Sequence, residues 1–353
     1  MTNVLILVVN PGSTSTRVAL YENGSCRDSS RFKHDSATVD MPLFPDQYNI
    51  RRDQVFAYLK SHKVDPRELD AVAARGGRLK PIPSGVYRVN GQMVEDAREG
   101  LQGQHPANIA VVLAAEIERT YGVPGFSVDP ISVDELDDIA RITGLKGVER
   151  SSLSHALSMK AVAKRAAREL GLEYENARLI VAHLGGGGSI SAHSGGRMVD
   201  LYNSDQEGPF AVERAGGIPS LKLLEYLEGR SLSFTQGVRK LTHEGGLYSH
   251  FGVRSIQAVE DLSHKETSAK IVLDAYVYQI AKSIASFLPI FSGKVDAVVF
   301  TGGVVHSAGI QKALEEKLFF VGKMLWYPGE FEMDALAEGV RAALLGQEQV
   351  HEY

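Results

Sequence analysis

The segment Leu179–His193 sets the terms for the rest of the chain. An apolar run, Leu179 to Ala182, passes through His183-Leu184 into four consecutive glycines, Gly185, Gly186, Gly187 and Gly188. The chain leaves through the alternating Ser189-Ile190-Ser191-Ala192-His193 and meets a second turn at Gly195-Gly196. This pattern is that of a strand, a tight turn and a second strand. Glycine lets backbone N–H groups approach an anion closely, so the tip reads as a phosphate cradle; a ligand-free hairpin tip is the competing reading. A second copy lies near the N-terminus. Val4 to Val9 is apolar, Asn10-Pro11-Gly12-Ser13-Thr14-Ser15-Thr16 is a turn rich in glycine and hydroxyls, and Arg17 to Tyr21 leads back to Asn23-Gly24. Two such units predict a duplicated fold with a phosphate loop in each half. A third strand, Val295 to Phe300, runs into Thr301-Gly302-Gly303 and then a helix.

A chain of 353 residues suits two α/β domains. A net charge of −5 gives no reason to expect nucleic acid or an anionic membrane as partner. The one cysteine, Cys26, allows neither an intrachain disulfide nor a cysteine metal cluster. The opening apolar run is too short for a signal peptide. The apolar segment Ile271 to Phe291 carries Asp274, Gln279 and Lys282 and reads as a buried core helix, so a cytoplasmic chain is expected.

Taken in order, residues 25–50 read as a polar surface connection and Arg51 to His62 as an amphipathic helix. The strand Leu69 to Ala74 ends in Arg75-Gly76-Gly77-Arg78, where a small anion could meet an arginine, or an arginine could simply cap a turn. Gln104-His105-Pro106-Ala107-Asn108 opens a helix, with His105 as a cap or packing residue. Val123 to Val128 ends at Asp129-Pro130, and a carboxylate there is either catalytic, metal-proximal or a plain turn residue. Ser151 to Leu170 becomes a strong helix, and the division into domains 1–150 and 151–353 is placed at its start. Arg214 lies in Gly208-Pro209-Phe210-Ala211-Val212-Glu213-Arg214-Ala215-Gly216-Gly217, where a structural Glu213–Arg214 pair is the plainer reading. The run His243-Glu244-Gly245-Gly246 reads as a loop and not a metal site. Tyr327-Pro328-Gly329-Glu330-Phe331-Glu332 precedes a last helix, Met333 to Leu345.

Asn10-Pro11-Gly12-Ser13-Thr14-Ser15, His183-Leu184-Gly185-Gly186-Gly187-Gly188-Ser189 and Thr301-Gly302-Gly303 together resemble the two phosphate motifs and the adenosine motif of the acetate and sugar kinase, Hsp70 and actin superfamily. Within it the chain, from Val4 to about Leu345, resembles the acetokinase family, and Pro81-Ile82-Pro83-Ser84-Gly85-Val86-Tyr87-Arg88-Val89 resembles its butyrate-phosphorylating branch. The resemblance implies two duplicated actin-like, ribonuclease-H-like domains with a cleft between them, the last helix packing back on the first. It implies a cytoplasmic homodimer or larger assembly that uses ATP and Mg²⁺ to phosphorylate a short-chain carboxylate, with no nucleic-acid or membrane partner. Butyrate or a branched-chain acid is the first choice; acetate or propionate is the alternative, and a sugar kinase or a non-catalytic nucleotide-driven module ranks below both.

The implied roles follow the motifs. Asn10, Arg75, Asp129, His155 and Arg214 would be catalytic, with Arg75 and His105 at the carboxylate and Arg78 a less favoured substitute for Arg75. Only the first histidine of the acetate kinases' Phe-His-Gly-Thr-Ser-His string survives here, which selects His155. Ser13, Ser15, His183, Gly185, Gly186, Gly187, Gly188, Gly302 and Gly303 would hold the nucleotide. Asp129 and a C-terminal glutamate would serve Mg²⁺; counting back from the last helix favours Glu332 over Glu330.

Overall fold

The computed structural model describes Asn3–Tyr353 as two compact units. The first holds the residues up to Asp134 together with Phe331–Tyr353, and the second is Glu135–Glu330. The first crossing therefore falls earlier than residue 150. Asp134 N–H still bonds the Ile82 carbonyl of the first unit, at 2.9 Å. Glu135 already belongs to the second unit, where its carboxylate pairs with buried Lys160 at 2.8 Å and accepts from the Met198 amide.

The first unit opens with an antiparallel meander, β1 (Leu5–Pro11), β2 (Ser15–Glu22) and β3 (Ser25–Lys33). The connection expected over residues 25–50 thus begins as a nine-residue strand. β3 is the outer strand of the meander, bonded to β2 and mostly exposed, so its sequence lacks the apolar run that marks β1. A short helix α1 (Ser36–Val39) and a turn lead to α2 (Tyr48–Ser61). Then come β4 (Ala71–Arg75), β5 (Val86–Arg88), α3 (Gly91–Glu99), α4 (Asn108–Tyr121) and β6 (Gly125–Val128). β1, β4 and β6 are parallel neighbours, covered on their faces and therefore almost continuously apolar.

The second unit begins with α5 (Asp138–Arg141) and α6 (Ala156–Glu169) and repeats the plan. The meander β7 (Leu179–Leu184), β8 (Gly188–Ser194) and β9 (Arg197–Asn203) is antiparallel. Helices α7 (Ser220–Glu228), α8 (Phe234–Thr242), α9 (Gly246–Phe251), α10 (Ile256–Ser263) and α11 (Thr267–Ser286) follow. β10 (Ala297–Gly302), α12 (Ala308–Leu318) and β11 (Met324–Pro328) complete a sheet of order β11-β10-β7-β8-β9. α11 passes a length-and-composition test for a membrane span, but Tyr276, Val277, Ile280 and Ile284 are buried in this unit's core.

After Glu330 the chain returns to the first unit as α13 (Glu332–Leu344), which packs on β1, β4 and β6, and β12 (Val350–Glu352), parallel to β5. The first sheet then reads β12-β5-β6-β4-β1-β2-β3. Its β6-β4-β1-β2-β3 portion has the order of the whole second sheet, with β1 and β7 in the equivalent central place.

Candidate active site

In each unit the site is built where the central strands end. Parallel pairing sets Val9 beside Ala74 and Arg75 beside Val128, so Asn10, Arg75 and Asp129 emerge together at one sheet edge. Glu332, the first residue of α13, joins them. Its Oε1 lies 3.0 Å from Arg75 Nη2, its Oε2 accepts from Asn10 Nδ2 at 2.7 Å, and Arg75 Nη1 donates to Asn10 Oδ1 at 3.1 Å. Asn10 and Glu332 are buried, so this charge pair is shielded from water and its geometry is stiff. Glu330 belongs to the other unit.

Asp129 has φ of +40°, a left-handed conformation costly for a non-glycine residue. Gly85 compensates: its N–H donates to Asp129 Oδ1 at 2.8 Å and its carbonyl accepts from Asp129 N at 3.1 Å. The carboxylate is buried and held in one place. His105 Nδ1 accepts from the Ala107 amide, a local cap at the head of α4. The neighbouring Asn108 reaches the arginine turn: its Oδ1 accepts from Arg78 N at 2.9 Å and its Nδ2 donates to the Ala97 carbonyl. In the hydroxyl-rich turn, Gly12 N bonds the Ser15 carbonyl at 2.8 Å. Ser13 is exposed at the tip, while Ser15 is buried with its Oγ accepting from Arg31 Nε.

In the second unit His155, at the head of α6, stacks on His183 with ring centroids 4.2 Å apart. Its Nδ1 lies 2.9 Å from Ser189 Oγ, and His183 Nδ1 lies 3.3 Å from Ser158 Oγ. The glycine loop is cross-braced by backbone bonds, Gly185 N to Gly187 O and Glu213 N to Gly186 O, and by Ser204 Oγ, which accepts from Gly188 N at 2.8 Å. Arg214 lies directly over it: a Cβ on Gly187 would be 2.4 Å from Arg214 Cζ, so any side chain there would have to push the guanidinium aside. Arg214 Nε is 3.0 Å from Asp205 Oδ1, while Glu213 pairs with Arg254 at 3.1 Å, so the adjacent Glu213–Arg214 pair does not form. Gly302 has φ of +99°, and a Cβ there would lie 2.2 Å from the Leu184 carbonyl oxygen. Two backbone bonds tie Gly302 to Gly329, and the Cβ position of the adjacent Gly303 meets open space.

Asp205, Ser189, Ser158, Asn108 and Gly85 are not marked as site residues by the sequence pattern. Ser158 and Asn108 lie on helices, Ser189 on β8, and Asp205 and Gly85 in turns, and each braces a neighbouring group. Among the described residues no three His, Cys, Asp or Glu side chains gather as a metal cluster. The chemistry on offer is two guanidinium groups, a braced imidazole, two buried carboxylates and two strand-end loops.

Residues 144–326 match the model of the acetokinase family. Over 352 residues the chain is 37% identical to butyrate kinase 1 of Clostridium acetobutylicum, covering 99% of both chains. It is 40% identical to a probable butyrate kinase of Enterococcus faecalis, covering 99% of this chain and 97% of that one. In fold it is similar to the crystal structure of Porphyromonas gingivalis acetate kinase, with TM-score 0.78 and 21% identity over 96% of this chain and 100% of that one. A propionate kinase from Francisella tularensis gives TM-score 0.75 and 21% identity over 95% and 98%. With a family match over half its length and relatives of this identity from end to end, the chain belongs to the acetokinase family.

Proposed function

We propose that the chain transfers the terminal phosphoryl group of ATP directly to the carboxylate of butyrate or a branched short-chain acid, giving an acyl phosphate and ADP. The observation that carries this reading is its end-to-end similarity to butyrate kinases. Family membership makes the chain a carboxylate kinase; acetate and propionate are the alternative acceptors.

The acceptor needs no general base. A carboxylate with a pKa near 4–5, by comparison with Asp and Glu, is already ionised at neutral pH. What the reaction needs is positioning and positive charge around an in-line transfer. Arg75, held by Glu332 and Asn10, would receive the carboxylate, with His105 close in sequence to Asn108, which supports the same turn. Arg214, braced by Asp205 over the glycine loop, would neutralise charge on the phosphoryl group in flight. His155, oriented by Ser189 and His183, would donate a hydrogen bond to the same group. Gly185–Gly188 with His183, and Ser13 with Ser15, would hold nucleotide phosphates, and Gly302 with Gly303 would face the adenosine.

Magnesium takes oxygen ligands, keeps several waters and leans on nucleotide phosphates, so two buried carboxylates, Asp129 and Glu332, fit it. When bound, the ion would offset phosphate charge. A cytoplasmic homodimer or larger assembly is part of this reading; Ile271 and Tyr278 on the outer face of α11 are exposed apolar side chains that suit a subunit contact.

The test is hydroxamate formation from ATP, Mg²⁺ and hydroxylamine with acetate, propionate, butyrate and isobutyrate in parallel. The highest kcat/KM is expected with butyrate or isobutyrate. No hydroxamate with any acid, from protein that binds ATP, would overturn the reading.

A further inference from the structure

Arg51, on the inner face of α2, is among the largest fully buried side chains in the molecule. Buried guanidinium groups normally face a carboxylate, because an uncompensated charge away from water is expensive. The acceptors of Arg51 are all neutral. Nη1 donates to the Gly12 carbonyl at 2.9 Å and Thr16 Oγ1 at 3.0 Å, with a longer approach to the Ser15 carbonyl at 3.5 Å. Nη2 donates to Gln47 Oε1 at 3.0 Å, and Nε has no partner among the described residues. Three of these contacts fall on one turn, Gly12–Thr16.

The geometry of the peptide unit gives the contact a consequence. In a trans peptide the C=O and the following N–H point in opposite directions. With the Gly12 oxygen drawn inward to Arg51, the Ser13 N–H is aimed outward, at the exposed tip. A buried positive charge then lies directly behind an outward-facing donor, which is how an anion site is made without a lysine at its surface. The surroundings keep the charge uncancelled. His34 Nε2, 2.9 Å from Thr16 Oγ1, is held neutral at pH 7, its pKa pushed to about 4 by burial and by the Arg51 charge.

We propose that Arg51 is a positioning residue for nucleotide binding: it orients the Gly12–Ser13 peptide and supplies the positive charge that a phosphate at this turn balances. This rests on the assignment of Asn10–Thr16 as a phosphate loop. The inference separates two jobs that arginines do here. Arg214 lies over its loop, whereas Arg51 never meets the ligand and acts through the backbone it holds.

The experiment compares full-length wild type, Arg51→Met and Arg51→Lys. MgADP affinity is read by titration calorimetry without any carboxylate, and KM for ATP, KM for butyrate and kcat are read by hydroxamate formation. A folded Arg51→Met protein should bind MgADP about 30-fold more weakly and show a parallel rise in KM for ATP, with KM for butyrate little changed. Arg51→Lys keeps the charge but not the fork, and should lose about 5-fold in MgADP affinity. A folded Arg51→Met with unchanged MgADP affinity, or one whose kinetic parameters all fall together, overturns the proposal. If Arg51→Met does not fold, Arg51→Lys decides: a loss confined to nucleotide supports it, and wild-type affinity overturns it. Wild type that binds MgADP but makes no hydroxamate would defeat the proposed function and leave this test intact. Wild type that does not bind MgADP would defeat both.

Discussion

The two strand-end turns occupy equivalent places in equivalent sheets, yet they are supported from different directions. The Gly12–Thr16 turn is held from behind by a buried side chain, and its tip residues Ser13 and Thr14 are exposed. The Gly185–Gly188 turn is held mainly by its own backbone and Ser204, and the Arg214 guanidinium is packed against Gly187. On the proposed assignment, one topology yields two kinds of anion cradle: one would get its charge through a peptide oriented by buried Arg51, the other from the Arg214 guanidinium packed against bare glycine. Each design tolerates a different kind of change.

The largest effect should come from the Arg214 guanidinium. Arg214→Ala should lower kcat by about 10²–10³, on the order of 3–4 kcal/mol by analogy with an oxyanion-hole donor, with the melting temperature little changed. A variant within a few-fold of wild type in the hydroxamate assay would remove Arg214 from the mechanism. A sharper contrast comes from the same substitution in each loop. Gly187→Ala places a methyl 2.4 Å from Arg214 Cζ and must displace it, so activity should drop about 30-fold or more. Gly12→Ala meets only the Ser15 carbonyl at 3.4 Å, at a backbone angle open to alanine, and should stay within about 3-fold. Equal losses in the two variants would break the comparison.

Glu332→Gln comes next. It keeps the shape but removes the negative charge facing Arg75, and should raise KM for the carboxylate about 10-fold and cost on the order of 1–3 kcal/mol of stability in urea unfolding. An unchanged KM with lowered stability would leave Glu332 a purely structural partner.

The smallest effect concerns pH. The folded pKa of His34 is near 4, below the usual 6.5, because of burial first and the Arg51 charge second, with Asp35 opposing them. The unfolded chain therefore takes up this proton first as pH falls. The stabilisation from neutral His34 is complete above about pH 6.5 and is lost progressively towards pH 4. His34→Gln should flatten the stability profile slightly between pH 7 and 5 in urea titrations; an identical slope in both proteins would contradict the assignment.

Much of this architecture is legible in the amino-acid sequence. The central strands β1, β7 and β10 are covered on both faces, so burial writes itself into the chain as the apolar runs around Val8, Val181 and Val299. The turns are equally legible as glycine runs at strand ends, and within them a Cβ would collide at Gly187 and Gly302. Outer strands are different. β3 is held in place by backbone bonds to β2, and its exposed Arg27, Ser29 and Arg31 resemble a loop in sequence. β12 is three residues long and is recognisable only from its partner β5.

The same division runs through the site. Arg75, Asp129, His155 and Arg214 stand at strand ends, helix starts and glycine turns that the sequence marks, and the family resemblance is what singles them out there. Their pairing is not announced. Asn10 and Glu332 are 322 positions apart and meet only because α13 returns to pack on β1. Asp205 supports Arg214 from a polar turn like any other, and Arg51 reads as the polar end of an amphipathic helix until tertiary packing buries it against Gly12. Local steric and burial patterns repeat at the period of a strand or helix and so are carried by the sequence. Pairing of charges across the fold has no period, and only the tertiary structure decides it.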